Sequence, residues 1–147
     1  AISVDHLEFT GGKEINCLKK SKTISTLLPS TAFFLGLKYP PARKMIENNL
    51  AIALASDYNP GSSPSGNMEF IISLGCLKLN MSPKECINAA TINGACAMEL
   101  QDKFGSIEKG KIANLIITEK IPSISYIPYS FGKSIIKKVL IKGKIYE

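Results

Sequence analysis

Apolar positions along the chain fall into short unbroken runs separated by segments with helical spacing. Ala1 to Val4, Thr23 to Leu28 and Ala51 to Ser56 are brief, β-branched or aliphatic, and lack the alternation of a half-exposed strand. Such runs predict strands covered on both faces. Between the first two, Gly11-Gly12 opens a stretch in which Ile15 and Leu18 lie three apart with lysines on the other side, the spacing of a helix. Between the second and third, a loop carrying Phe33 and Phe34 leads through Pro40-Pro41 into a helix over 42–49, with Pro41 suited to its first turn. The order is β-α-β-α-β, which predicts an α/β fold with a parallel sheet.

Further along, Asn67 to Leu79 reads as a helix with Phe70, Ile71, Leu74 and Leu77 making one apolar side. Ser82-Pro83-Lys84-Glu85 has the form of a helix start, in which Ser82 caps and Glu85 answers as the reciprocal partner. Asn88 to Leu100 is rich in alanine and other small residues, which permits close helix packing. From Gly105 the composition changes to short β-like runs, Ile112 to Thr118 and Ile135 to Ile145, punctuated by Gly110, Gly132 and Gly143. A domain boundary is expected near Gly105, dividing 1–104 from a small β unit over 105–147.

A length of 147 residues with 45% hydrophobic content suits a folded domain rather than a disordered segment. No apolar run approaches the roughly 20 residues that cross a bilayer, so no membrane segment is expected. The chain begins at Ala1 rather than Met, with no signal-peptide pattern, which suggests a processed start or a piece of a longer protein.

The net charge of +6 raises the question of nucleic acid. All cations but Arg43 are lysines, however, and they are scattered; arginine is the residue that reads guanine edges with two parallel bonds. A solvated lysine surface is the simpler reading, and no nucleic-acid partner is expected. Cys17, Cys76, Cys86 and Cys96 form no C-x-x-C pair, and His6 is the single histidine, which argues against a self-contained zinc site. Cys76, Cys86 and Cys96 lie among apolar residues and read as small core residues of a reducing, cytoplasmic protein.

Candidate chemistry sits where strands end. In parallel α/β folds functional groups gather at the carboxyl edge of the sheet, and both His6 and Asp57 stand there. Two plainer readings stay open: an Asp before Asn59-Pro60-Gly61 is also a turn former, and a lone histidine is often a hydrogen-bonded structural residue.

The stretches Asp5-His6-Leu7-Glu8, Leu27-Leu28-Pro29, Pro41-Ala42-Arg43-Lys44, Ala55 to Pro64 (ASDYNPGSSP), Ala89 to Ala95 (AATINGA) and Ile127 to Gly132 (IPYSFG) occur in an order and spacing that resemble the carboxyl-terminal third of the imidazolonepropionase family, within the amidohydrolase superfamily. Gly105 to Leu115 is similar to the more general amidohydrolase tail. The resemblance implies the carboxyl-terminal part, strands six to eight, of a metal-dependent (β/α)8 TIM barrel, followed by strands of a small β-sandwich. It implies one divalent metal, zinc or iron, with Asp57 as a metal ligand that also carries a proton during catalysis. It implies that His6 lies beside the substrate as a catalytic and binding residue, and that Asn59, Gly61 and Ser62 contact the substrate. The implied reaction is hydrolysis of a carbon–nitrogen bond in the cyclic amide 4-imidazolone-5-propanoate, giving N-formimidoyl-L-glutamate in histidine degradation; the implied assembly is a homodimer. The family's other metal-binding histidines have no counterpart here, so a chain holding three strands is expected to bind metal poorly and to be inactive alone.

The tail departs from the usual pattern at Asn114, where relatives carry Asp, and at Ser130, where many carry His. Arg43 matches no family ligand position and reads as a surface or salt-bridge residue. Two alternatives remain: another cyclic-amide hydrolase or deaminase of the superfamily, and a non-catalytic basic binding protein. The Asn59 to Pro64 loop disfavours the first, and the scattered lysines disfavour the second.

Overall fold

The computed structural model describes residues 1–146. Strands β1 (Ser3–Asp5), β2 (Ile24–Leu27) and β3 (Ile52–Leu54) form a parallel sheet in the order β1-β2-β3. Asp5 pairs with Thr26, and Leu27 with Leu54. The three apolar runs are therefore the three strands, and each parallel step is bridged by helix: α1 (Gly12–Leu18), then α2 (Pro29–Leu35) and α3 (Ala42–Glu47).

Leu27, Ile52 and Leu54 point into a core shared with Met45, Ile71, Cys86 and Ala89. These last residues come from α3, α4 (Met68–Lys78) and α5 (Pro83–Ala90), so one layer of helices closes one face of the sheet. Ser82 caps α5 through its side chain and Glu85 bonds back to the Ser82 N–H, so two exposed helix-end donors are satisfied at once.

Three sequence expectations need correction. The segment with Phe33 and Phe34 is the helix α2, not a loop. Pro29 occupies its first turn, where no N–H is required, and Gly36 ends it in the left-handed region at φ +66°. Phe33 then stacks edge-on against Phe70 of α4, with ring centroids 5.3 Å apart. The second correction concerns α4, which is not apolar on one side only. Ile71 through Leu74 and Gly75 are buried in succession while Leu77 is 64% exposed, because α4 is held between α2, α5, β3 and a later helix. Third, the alanine-rich segment is broken at Thr91 between α5 and α6 (Ile92–Ala97).

Beyond Gly105 lies a separate antiparallel sheet, β4 (Leu115–Thr118), β5 (Ile136–Ile141) and β6 (Lys144–Tyr146), with the short helix α7 (Tyr126–Tyr129) inserted before β5. Glu69, in the first turn of α4, accepts from the Ser134 hydroxyl and the Ile135 N–H at 2.6 and 2.9 Å. That carboxylate pins the start of β5 to the helical layer, and α7 packs on α4 beside it. Among the described residues no helix is long and apolar enough to cross a membrane.

Candidate active site

The carboxyl edge of the parallel sheet collects polar groups from all three strands. Asp57 follows β3, three residues past Leu54, and has φ +50°; His6 and Leu7 follow β1, both with φ +71°. L-residues adopt this region at a cost, and such strain persists where surrounding structure imposes it. Here the imposing contacts are visible.

Thr31, 2% exposed in the first turn of α2, donates from Oγ1 to Asp57 Oδ2 at 2.8 Å. The Ser62 hydroxyl approaches the same oxygen at 3.4 Å. Asn59 then closes the loop on itself. Its Nδ2 donates to the Asp57 carbonyl at 2.6 Å and to Ser62 Oγ at 2.8 Å, and its Oδ1 accepts from the N–H groups of Gly61 and Ser62. Asn59 and Ser63 exchange backbone hydrogen bonds, and the buried Ser63 hydroxyl donates to the Ser56 carbonyl. The polar punctuation after β3 is thus a wired turn that fixes the direction of one carboxylate.

At the β1 end, His6 Nδ1 lies 3.2 Å from Glu8 Oε1, with Glu8 7% exposed and the ring about half exposed. His6 and Asp57 stand on the same edge two strands apart, a lateral step of about 10 Å at the usual strand spacing. Asp57, Asn59, Gly61 and Ser62 are brought together in one loop; His6 shares the edge and pairs with Glu8.

Thr31 and Glu8 were not singled out in the sequence. The signal for Thr31 was a hydroxyl in the first helical turn after the middle strand; for Glu8 it was a carboxylate two residues from the single histidine. Arg43 pairs with Glu85 at 2.8 Å, a salt bridge between α3 and α5. Among the described residues no three His, Cys, Asp or Glu side chains converge as a metal site.

Residues 4–146 match the amidohydrolase family. The chain belongs to that family. Its polypeptide is 54% identical over 145 residues to imidazolonepropionase of Flavobacterium johnsoniae and 52% identical over 145 residues to that of Christiangramia forsetii, covering 99% of this chain in both cases. This amidohydrolase chain spans 35% of the length of each of those relatives.

Solved structures with the same fold include an adenosine deaminase from Xanthomonas campestris with bound zinc, at a TM-score of 0.88 and 22% identity, covering 97% of this chain and 36% of the deaminase. A second is Escherichia coli guanine deaminase, with a TM-score of 0.81 and 17% identity over 99% of this chain and 38% of that one. At those identities the likeness concerns the fold: an α/β amidohydrolase architecture over nearly the whole chain.

Proposed function

We propose that this chain is the carboxyl-terminal part of an imidazolonepropionase, carrying strands six to eight of a (β/α)8 barrel over residues 1–104 and part of a small β-sandwich over 105–147. The reaction is hydrolysis of the ring carbon–nitrogen bond of 4-imidazolone-5-propanoate to N-formimidoyl-L-glutamate. The observation that carries the reading is the strand-end carboxylate of Asp57, held at φ +50° by Thr31 and by its own loop. The identity of 52–54% with imidazolonepropionases over 99% of the chain supports the choice of substrate.

The donor set fits one corner of a divalent-metal site. Asp57 Oδ2 is occupied by Thr31 and Ser62, which leaves Oδ1 without a hydrogen bond from the described residues. An ionised carboxylate oxygen suits zinc or iron, and among the described residues no group of three His, Cys, Asp or Glu side chains completes a metal site around it. When bound, the cation supplies a water made acidic enough to attack at neutral pH.

Asp57 accepts a proton from the attacking water and passes it to the departing ring nitrogen. His6, whose Nε2 has no hydrogen-bond partner among the described residues, exchanges a proton with the substrate at the β1 end of the same edge. Gly61 and Ser62 contact the substrate from this loop. Asn59 serves them by shaping the loop, since both its donors and its acceptor are engaged there. The whole enzyme is a cytoplasmic homodimer, and the 147-residue chain alone has no turnover.

The test is a chimera in which this chain replaces the corresponding third of the Flavobacterium johnsoniae enzyme. It should consume 4-imidazolone-5-propanoate, and Asp57→Asn should abolish turnover while the protein stays folded. A folded Asp57→Asn chimera with undiminished turnover would sink the reading.

A further inference from the structure

We propose that Glu8 holds the His6 ring in its Nδ1–H form, so that Nε2 alone takes up and returns a proton at the carboxyl edge of the sheet. His6 Nδ1 and Glu8 Oε1 are 3.2 Å apart, and Glu8 is buried at 7% exposure. An ionised carboxylate only accepts hydrogen bonds, so the nitrogen facing it must carry the hydrogen whether the ring is neutral or charged. The neutral ring then has a bare lone pair at Nε2. A free imidazole has no such constraint and distributes its proton over both nitrogens.

The backbone serves the same end. His6 and Leu7 both sit at φ +71°, a double left-handed step just after β1, and across it the Glu8 carboxylate reaches Nδ1 of the His6 ring. Two consecutive non-glycine residues in that region mark an imposed geometry rather than an ordinary strand exit. The Leu7 carbonyl accepts from the Thr10 N–H at 3.1 Å and closes the turn.

Uptake of a proton at Nε2 leaves an imidazolium whose Nδ1–H already faces a carboxylate, so the charged form needs no ring flip. The donor, a substrate N–H or O–H, loses the proton that Nε2 gains, and the reverse step restores both. Glu8 is therefore a positioning residue that acts through His6. Its catalytic meaning rests on the proposed role of His6, whereas the tautomer does not.

The single histidine of the chain makes the test direct. A nitrogen-15 spectrum of histidine-labelled chain, recorded where the ring is neutral, separates protonated from bare ring nitrogens. Nδ1–H should exceed Nε2–H by roughly tenfold, the scale of one charge-assisted hydrogen bond. Glu8→Gln, which keeps the volume, should lower that excess by about tenfold because a neutral acceptor replaces a charged one. Dominant Nε2–H in the native chain, or a ratio unmoved by Glu8→Gln, would overturn the proposal. The reading needs neither metal nor substrate, so a chimera without turnover would count against the proposed reaction and leave this spectrum as the judge of Glu8.

Discussion

Placing a methyl group on Gly75 should reverse its effect according to what stands at position 86. Gly75 lies inside α4, where glycine to alanine alone favours the helix by about 1 kcal/mol. The added Cβ, however, would sit 2.7 Å from Cys86 Sγ and 3.2 Å from Leu54 Cδ1. Ordinary carbon contacts need about 3.5–4 Å, so the sulfur must retreat by about 1 Å. Cys86 is completely buried and Leu54 is 4% exposed, which leaves little room to retreat. Overpacking of this kind costs about 1–3 kcal/mol, and Gly75→Ala should therefore lose up to about 2 kcal/mol net. In a Cys86→Ala background the sulfur is gone, and the same substitution should be neutral or stabilising by up to about 1 kcal/mol. Urea unfolding of the four proteins, followed by far-UV circular dichroism, yields the coupling directly. A coupling within about 0.5 kcal/mol of zero would refute the argument that these helices meet through a glycine gap.

Thr31→Val keeps the shape of the side chain but removes the hydroxyl from Asp57; in the chimera, zinc affinity measured by competition with a chromophoric chelator should fall by about tenfold or more. Burial opposes the charge of Glu85, but the Ser82 N–H, the Arg43 guanidinium and the Ser82 hydroxyl outweigh it and hold the carboxyl below its usual range. Its folded value being depressed, the contribution is full above the unfolded value of about 4.3 and fades as pH falls through the folded one. Arg43→Met should accordingly destabilise by about 0.5–1 kcal/mol at neutral pH, an amount limited by solvent screening, and by less in acid; a difference that grows on acidification would contradict this. Burial raises the Cys86 thiol well above its usual range and also raises Cys76, whereas Cys17 is exposed. Maleimide labelling followed by mass spectrometry should modify Cys17 first and Cys86 last, and early modification of Cys86 in the folded chain would count against its packing.

The parallel order of β1, β2 and β3 was legible because each apolar run is short and unalternating, and because Pro29 and the Asn-Pro-Gly cluster end the second and third runs. The α5 cap was legible because Ser82 and Glu85 act locally. Helix α2 escaped because adjacent phenylalanines have no helical period; they are aligned by contact with Phe70, thirty-seven positions from Phe33. Leu77 misled for a similar reason, since a helix surrounded on several sides buries consecutive residues and leaves its end free. At the candidate site, the strand-end positions of His6 and Asp57 could be read from the pattern. Their controllers could not: Thr31 meets Asp57 across twenty-six positions, and Glu8 reaches His6 only through two left-handed residues that no side-chain pattern announces.

The loop from Asp57 to Ser63 satisfies most of its polar groups with its own atoms, through Asn59, Ser62 and Ser63. Its shape is settled before anything docks, so a ligand arriving there loses its own freedom of motion without also freezing the protein's. Affinity at such a place tracks how well a molecule matches a fixed outline. A molecule of the wrong outline finds no adaptable wall, and selectivity becomes a property of the empty turn itself.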